Sequence, residues 1–189
     1  MYAQKAIVHN AHTLHTVRNV HNAHCAYRFK VQSCDCINFV RATDPACGTT
    51  GFLVSAAEYI RRHYEDTMTS EQWEHFAGGA FNGFDTDRTM LRISAMNLML
   101  HSISNPDIDY KDSVSKQNEI SDRYTMCLAN PPFKGTVDAE SINDNLKAVT
   151  NTKKTELLFF GIVPAYAEKG WTVCLHCSGW RVVRLIKGA

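Results

Sequence analysis

The 189-residue chain has almost no net charge: 20 Lys and Arg stand against 19 Asp and Glu, for a formal charge of +1. A chain that grips a polyanion by itself needs a clustered cationic surface, so another subunit or further segments would have to supply it here. Long apolar runs are also missing. None reaches the ~18 residues that a membrane span requires. Met1 to Arg18 has no continuous apolar core and no cleavage-like site, which argues against a secretory signal. The seven cysteines are odd in number and follow no compact framework. They read as thiols in a reduced, cytoplasmic setting rather than as a disulfide scaffold. His24, Cys25, Cys34 and Cys36 lack the paired-ligand spacing of zinc modules, so no metal site is read there. What is present is one domain's length of chain with an apolar share of 44%, enough for a hydrophobic core.

In the N-terminal segment, 1–38, Val8-His9-Asn10-Ala11-His12 recurs as Val20-His21-Asn22-Ala23-His24 without a helix or strand period. The segment reads as irregular. Phe39 to Thr43 then predicts a short strand ending at Asp44. Gly51 to His63 predicts a helix with Phe52, Leu53, Ala56, Ala57 and Ile60 along one stripe. Tyr64 to Gly79 reads as a polar connection with a helical turn near Glu71 to Phe76. Ala80 to Phe84 is a second strand ending at Asp85. A helix from about Asp87 to Ser102 follows, capped by Thr86 or Asp87, with Leu91, Ala95, Leu98, Met99 and Ser102 on its inner side. Asn105-Pro106 stops it.

Ile108 to Tyr110 reads as a third strand ending near Asp112, and Ser113 to Arg123 as a charged loop. Tyr124 to Ala129 is a compact buried strand halted by Asn130 and two prolines. Lys134 to Lys154 reads as polar and mobile. Thr155 to Ala167 is apolar and helical in its first half, and Trp171 to Leu175 is the last strand. Strands alternating with helices predict a parallel α/β sheet covered on both faces. The core spans 39–175, and an atypical tail, 176–189, follows it.

In an open parallel sheet, ligands sit beyond the carboxyl ends of the strands. Asp44, Asp85, Asp112 and Asn130 would line that edge. Gly48 and Gly51 allow a tight turn with close backbone approach, and the turn opens a helix whose first N–H groups would face a ligand. An acid at the second strand end suits a ribose. No Walker lysine follows the glycines, so the ligand is a nucleoside with little phosphate.

Four segments in this order resemble the methylation (modification) subunit of type I restriction-modification systems, within the adenine-N6 DNA methyltransferases of γ motif order. They are Asp44-Pro-Ala-Cys-Gly-Thr-Thr-Gly-Phe-Leu53, Gly83-Phe-Asp85 with Asn97-Leu-Met-Leu-His-Ser-Ile103, Asp112-Ser113, and Ala129-Asn-Pro-Pro-Phe133. The resemblance covers roughly Thr43 to Gly161. It implies an α/β, Rossmann-like S-adenosylmethionine-dependent methyltransferase fold with a mostly parallel sheet, incomplete at both ends. It also implies a cofactor set. Asp44 lies near the methionine amino group, Ala46, Gly48, Thr49, Thr50 and Gly51 form the turn, Asp85 takes the ribose and Asp112 the adenine. Thr50 stands where a glycine is usual.

The same resemblance makes Asn130, Pro131, Pro132 and Phe133 the catalytic tip for a flipped adenine. Asn130 and the Pro131 carbonyl would accept from N6, and Phe133 would stack on the base. DNA, a specificity subunit and a restriction subunit are the implied partners. Two other readings stand beside it: a non-catalytic cofactor-binding or assembly remnant, and a methyltransferase acting on RNA or protein.

The chain departs from the family at both ends. The upstream Gln-Tyr-Phe-Thr-Pro-Arg-like closing segment is not recognisable in 1–38. Downstream the family continues Pro-Asp-Gly-Val-Leu-Phe-Gly-Ser-Ser, whereas His176 to Ala189 has another sequence. Codons exist for that tail which, read one base later, encode the family's segment. The expectation is a frame change between about Gly161 and Lys169, and hence a methyltransferase fragment in which the catalytic residues can be present while activity is absent.

Overall fold

A computed structural model describes Ile7 and Val8, residues 34–130, Pro132, and residues 135–150, 152–177 and 181–186. Its strands are β1 (Ile7–Val8), β2 (Ala42–Asp44), β3 (Phe81–Asp85), β4 (Asp107–Tyr110), β5 (Tyr124–Ala129), β6 (Ala167–Cys177) and β7 (Arg181–Ile186). Its α-helices are α1 (Gly51–Tyr64), α2 (Ser70–Gly78), α3 (Arg88–Leu100), α4 (Asp144–Val149) and α5 (Thr155–Tyr166). The strands form one sheet in the order β1-β7-β6-β5-β2-β3-β4. Strands β4, β3, β2, β5 and β6 run parallel. β7 returns antiparallel beside β6, and β1 pairs antiparallel with β7.

This order places the functional edge. From β2 the chain builds outward to β3 and β4, then recrosses to lay β5 on the other side of β2. The strand order therefore reverses between β2 and β5, and crevices for ligands open at the carboxyl ends of such a pair. Ala42 pairs with Met126 and Thr43 with Cys127, so Asp44 and Asn130 leave the sheet at the same end.

Each face of the sheet is covered, as the alternation of strands and helices predicts. On one face α1 presents Phe52, Leu53, Val54, Ala56, Ala57 and Ile60, all buried, against Ala42, Phe81, Met126 and Leu128. Full burial of a side chain such as Leu53 or Ile60 contributes about 2 kcal/mol. Phe76 of α2 meets Phe81 edge-on, with centroids 5.3 Å apart. On the other face Phe84, Tyr124, Cys127 and Ala129 pack against Leu158, Phe159, Ile162 and Tyr166 of α5. Within β5 the amides of Thr125 and Met126 both donate to the Arg41 carbonyl (3.0 and 3.2 Å). This is a bulge, and it lets Tyr124 and Cys127 share one core although three positions separate them.

Several expectations need correction. The strand expected from Phe39, β2, starts at Ala42, because residues Cys34–Phe39 wind into a 3-10 turn closed by Val40 N–H on the Ile37 carbonyl (3.1 Å). The connection before β3 contains a full helix, α2. Its start is a capping box in which Thr69 Oγ1 accepts from Gln72 N–H and Gln72 Oε1 accepts from Thr69 N–H.

Met99 on α3 and Ser102 beyond its end face solvent, and the buried positions of α3 are Ser94 and Leu98. Residues 144–149, expected to be mobile, form α4, with Ile142 and Leu146 in the core. The helix from Thr155 runs through to Tyr166. Arg181–Ile186, in the segment read as a tail, adds a strand after the one expected to be last. The irregular reading of 1–38 lies largely outside the described residues, as does the histidine repeat.

Candidate active site

The turn after β2 is tied down on every side. Asp44 is buried (1% exposed), and its Oδ1 accepts from the half-buried Ala46 N–H (3.0 Å). Cys47 N–H donates to the Phe84 carbonyl of β3 (2.9 Å), and Gly48 N–H to Asp85 Oδ2 (2.9 Å). Gly48 has φ 52° and Thr50 φ 62°. Both are left-handed. Glycine takes that conformation freely, but a β-branched threonine held there costs about 1–3 kcal/mol. The glycine usual at position 50 would remove that strain.

The strain is held by α3. Asn97 Nδ2 donates to the Thr49 carbonyl (2.7 Å). Ser94, fully buried, places its hydroxyl between the Gly48 carbonyl and the Met90 carbonyl of its own helix. Thr50 N–H closes the turn on the Cys47 carbonyl (2.6 Å). Thr50 then opens α1 with no side-chain cap to its first turn, so the open helix end sits beside the crevice. Gly83 matters here for its lack of a side chain. A Cβ there would lie 2.7 Å from Ile108 Cδ1 and 3.0 Å from Cys47 Cβ.

The acids divide by depth. Burial pushes the Asp44 carboxyl up to about 7; the Ala46 N–H opposes the rise and the charge of Asp85 adds to it. Asp85 is half-buried, with Oδ1 accepting from Asp87 N–H (2.9 Å) and Oδ2 from Gly48 N–H. It braces the turn and keeps lone pairs for a ligand hydroxyl, because each carboxylate oxygen accepts more than one bond. The helix cap is Asp87, whose Oδ1 accepts from Thr89 and Met90 N–H.

Asp112 is exposed two residues beyond β4. Its neighbour Ser113 donates to the Pro45 carbonyl (2.7 Å), which docks this loop on the turn. Buried Asn118 supports the docking by donating to the Ser113 carbonyl (2.7 Å) and to Tyr166 Oη (2.8 Å). Burial, followed by the charge of Asp44, pushes the Cys47 thiol up to about 12. That thiol stays protonated and is no nucleophile.

Asn130 and Pro132 are exposed beyond β5, whose six residues are all buried. Pro131 and Phe133 lie outside the described residues. The structure thus gathers Asp44, Ala46, Gly48, Thr49, Thr50, Gly51 and Asp85 at one crevice, with Asp112 docked on it and Asn130 on the adjoining strand end. Sequence reasoning missed Ser94, Asn97 and Asn118 as supports. A serine in the middle of the apolar stripe of α3 was the available signal for Ser94.

A parallel sheet with helices on both faces and a glycine turn at its order reversal defines a Rossmann-like, methyltransferase-type fold. The type I restriction enzyme EcoKI M protein has that fold, with a TM-score of 0.63 at 20% identity over 75% of this chain and 32% of its own. The N-6 DNA Methylase family model matches residues 30–177, and the chain belongs to that family. Among curated relatives, the type I restriction enzyme EcoEI methylase subunit of Escherichia coli is 30% identical over 134 residues, 67% of this chain and 26% of its own length. The type II methyltransferase M.VspI of Vibrio sp. (strain 343) is 29% identical over 62% of this chain and 26% of its own length. The chain therefore spans about a quarter of each of these two. Among the described residues, no helix is long and apolar enough to cross a membrane.

Proposed function

We propose that the chain is the catalytic core of an adenine-N6 DNA methyltransferase that uses S-adenosylmethionine and works within a type I restriction-modification system. The observation that carries this reading is the adjacency of two tips. The Asp44–Gly51 turn and the Asn130 tip leave neighbouring parallel strands at the same end, where the strand order reverses. The residues fit the cofactor. The turn offers an open helix end and close backbone approach, Asp44 offers a buried carboxyl for an ammonium, and Asp85 offers oxygens for a ribose. When bound, S-adenosylmethionine supplies an electrophilic sulfonium methyl.

The chain's own residues do the rest by placement. Asp85 and the turn fix the nucleoside, and Asp112 receives the adenine. Asn130, with the Pro131 carbonyl, accepts from the N6 amino group of an extruded adenine, whose removal from the stack is needed for access. That leaves the nitrogen lone pair facing the methyl for direct in-line transfer, and Phe133 stacks on the base. Positioning supplies most of the rate. The near-zero net charge supports a division of labour in which a specificity subunit brings the DNA, and a restriction subunit completes the system.

The test is methyl transfer to DNA by this chain and by a full-length version, with and without an added specificity subunit. Transfer that needs the added subunit supports the type I reading. Transfer by the full-length chain alone overturns the need for a specificity subunit. A chain that binds no S-adenosylmethionine in isothermal titration is a non-catalytic remnant. The tail from His176 is tested by the gene: codons incompatible with the shifted frame remove the frame-change account.

A further inference from the structure

The left-handed conformation of Thr50 and the direction of the Thr49 carbonyl are two views of one peptide plane. Rotating that plane moves the oxygen of Thr49 and the φ of Thr50 together. Thr50 sits at φ 62°, where a β-branched residue is strained, so the plane must be held by its contacts, of which the Thr50 N–H bond to the Cys47 carbonyl (2.6 Å) lies within the turn. Two donors reach the Thr49 oxygen. One is the Thr50 hydroxyl itself (2.6 Å), a donor from within the turn. The other is Asn97 Nδ2 at 2.7 Å, carried on α3, 48 residues away in sequence. The next carbonyl back, on Gly48, is engaged by Ser94 one turn earlier on the same helix.

We infer that Asn97 is a positioning residue: it locks the Thr49–Thr50 peptide so that the cofactor turn is preformed before ligand arrives. The role rests on the cofactor reading of the turn. Without the lock the plane flips, Thr50 relaxes to negative φ, and its N–H leaves the Cys47 carbonyl. The start of α1 then no longer faces the crevice in a fixed direction. Asn97 touches no reacting atom. It acts through the backbone it holds, and it makes up for the absence of a glycine at position 50.

The test uses Asn97→Ala, Thr50→Gly and the double variant of the whole chain. Amide exchange of the Thr50 N–H and titration with S-adenosylmethionine are the two readouts. In Asn97→Ala, exchange at Thr50 should quicken and affinity should fall, each by up to about tenfold, the size of one net hydrogen bond. Adding Thr50→Gly should restore most of the affinity, because glycine keeps a left-handed conformation unaided. A purely structural role for Asn97 would give no such rescue. Unchanged exchange in Asn97→Ala overturns the lock, and so does a double variant as weak as the single one. If the unaltered chain binds no cofactor while exchange still quickens, the cofactor reading falls and the lock stands.

Discussion

The turn after β2 and the tip after β5 stand on neighbouring strands yet are built in opposite ways. The turn is bonded to β3, to α3 and, through Ser113, to the loop after β4. Its key acid is buried and its backbone is strained. At the tip, Asn130 and Pro132 stand exposed beyond a fully buried strand. On the proposed reading, the site that holds a cofactor is made rigid by tertiary contacts, and the site that presents one polar group to an incoming base needs only a firm base beneath it. Substitutions in the turn should therefore disturb binding and stability together, and substitutions at the tip should disturb transfer alone.

The largest effect is expected at the tip. In a full-length version, Asn130→Ala should lower methyl transfer by about 1000-fold, within the range of a lost proton-handling or orienting group, and leave cofactor affinity within about twofold. Retained transfer would show that the base pocket is misassigned.

Next comes the buried acid of the turn. Asp44 holds a proton in the folded chain that the unfolded chain gives up, so its contribution to stability falls as pH rises from about 4 to about 7. The fall should reach roughly 4 kcal/mol at most, from about 3 pKa units at 1.36 kcal/mol each. Asp44→Asn should flatten the stability profile over that window and be the more stable form at pH 8. Parallel profiles for the two chains, measured by urea unfolding, would deny Asp44 its buried, protonated state. A bound ammonium would draw off this proton, so cofactor affinity should rise with pH up to about 7.

A smaller loss should follow Asp85→Ala, which removes the acceptor for the Gly48 and Asp87 amides and, on the proposed reading, for a ribose. Cofactor affinity should drop about 10- to 100-fold, the range for bonds to a charged acceptor. Unchanged affinity in titration would reduce Asp85 to a structural brace. Smallest is Gly83→Ala. The added methyl meets Ile108 and Cys47, and overpacking of that kind costs about 1–3 kcal/mol. A thermal midpoint equal to that of the unaltered chain would mean Ile108 swings clear.

Much of this layout was legible in the sequence. Tyr124 to Ala129 is a strand with the expected ends because its six residues are buried and two prolines follow. The α1 stripe was readable because Phe52 to Ile60 keep the helical period. The acids at the strand ends stand at one edge because parallel strands put them there. What escaped reading was set by distant contacts. Asn97 looks like any polar residue on a helix until Thr49 is brought beside it. Met99 looks apolar and inward, but Ser94 takes the inner position because the Gly48 carbonyl of the turn and the Met90 carbonyl of its own helix converge on it. Residues 144–149 read as polar loop, since only Ile142 and Leu146 carry their packing. The brace role of Asp85 was hidden too, because nothing in its local sequence announces the Gly48 amide.

The doubled donors on Arg41 have one more consequence. They shift the odd-and-even count along β5 by one, so that Met126 and Leu128 share the side of Ala42 and Asp44. Carried two residues on, the count brings Asn130 out on the Asp44 side as well. Deleting Thr125 would leave Tyr124 and Met126 on their present faces in a regular ladder, with Asn130 on its present side, whereas deleting Cys127, beyond the bulge, would turn Asn130 to the other face of the sheet.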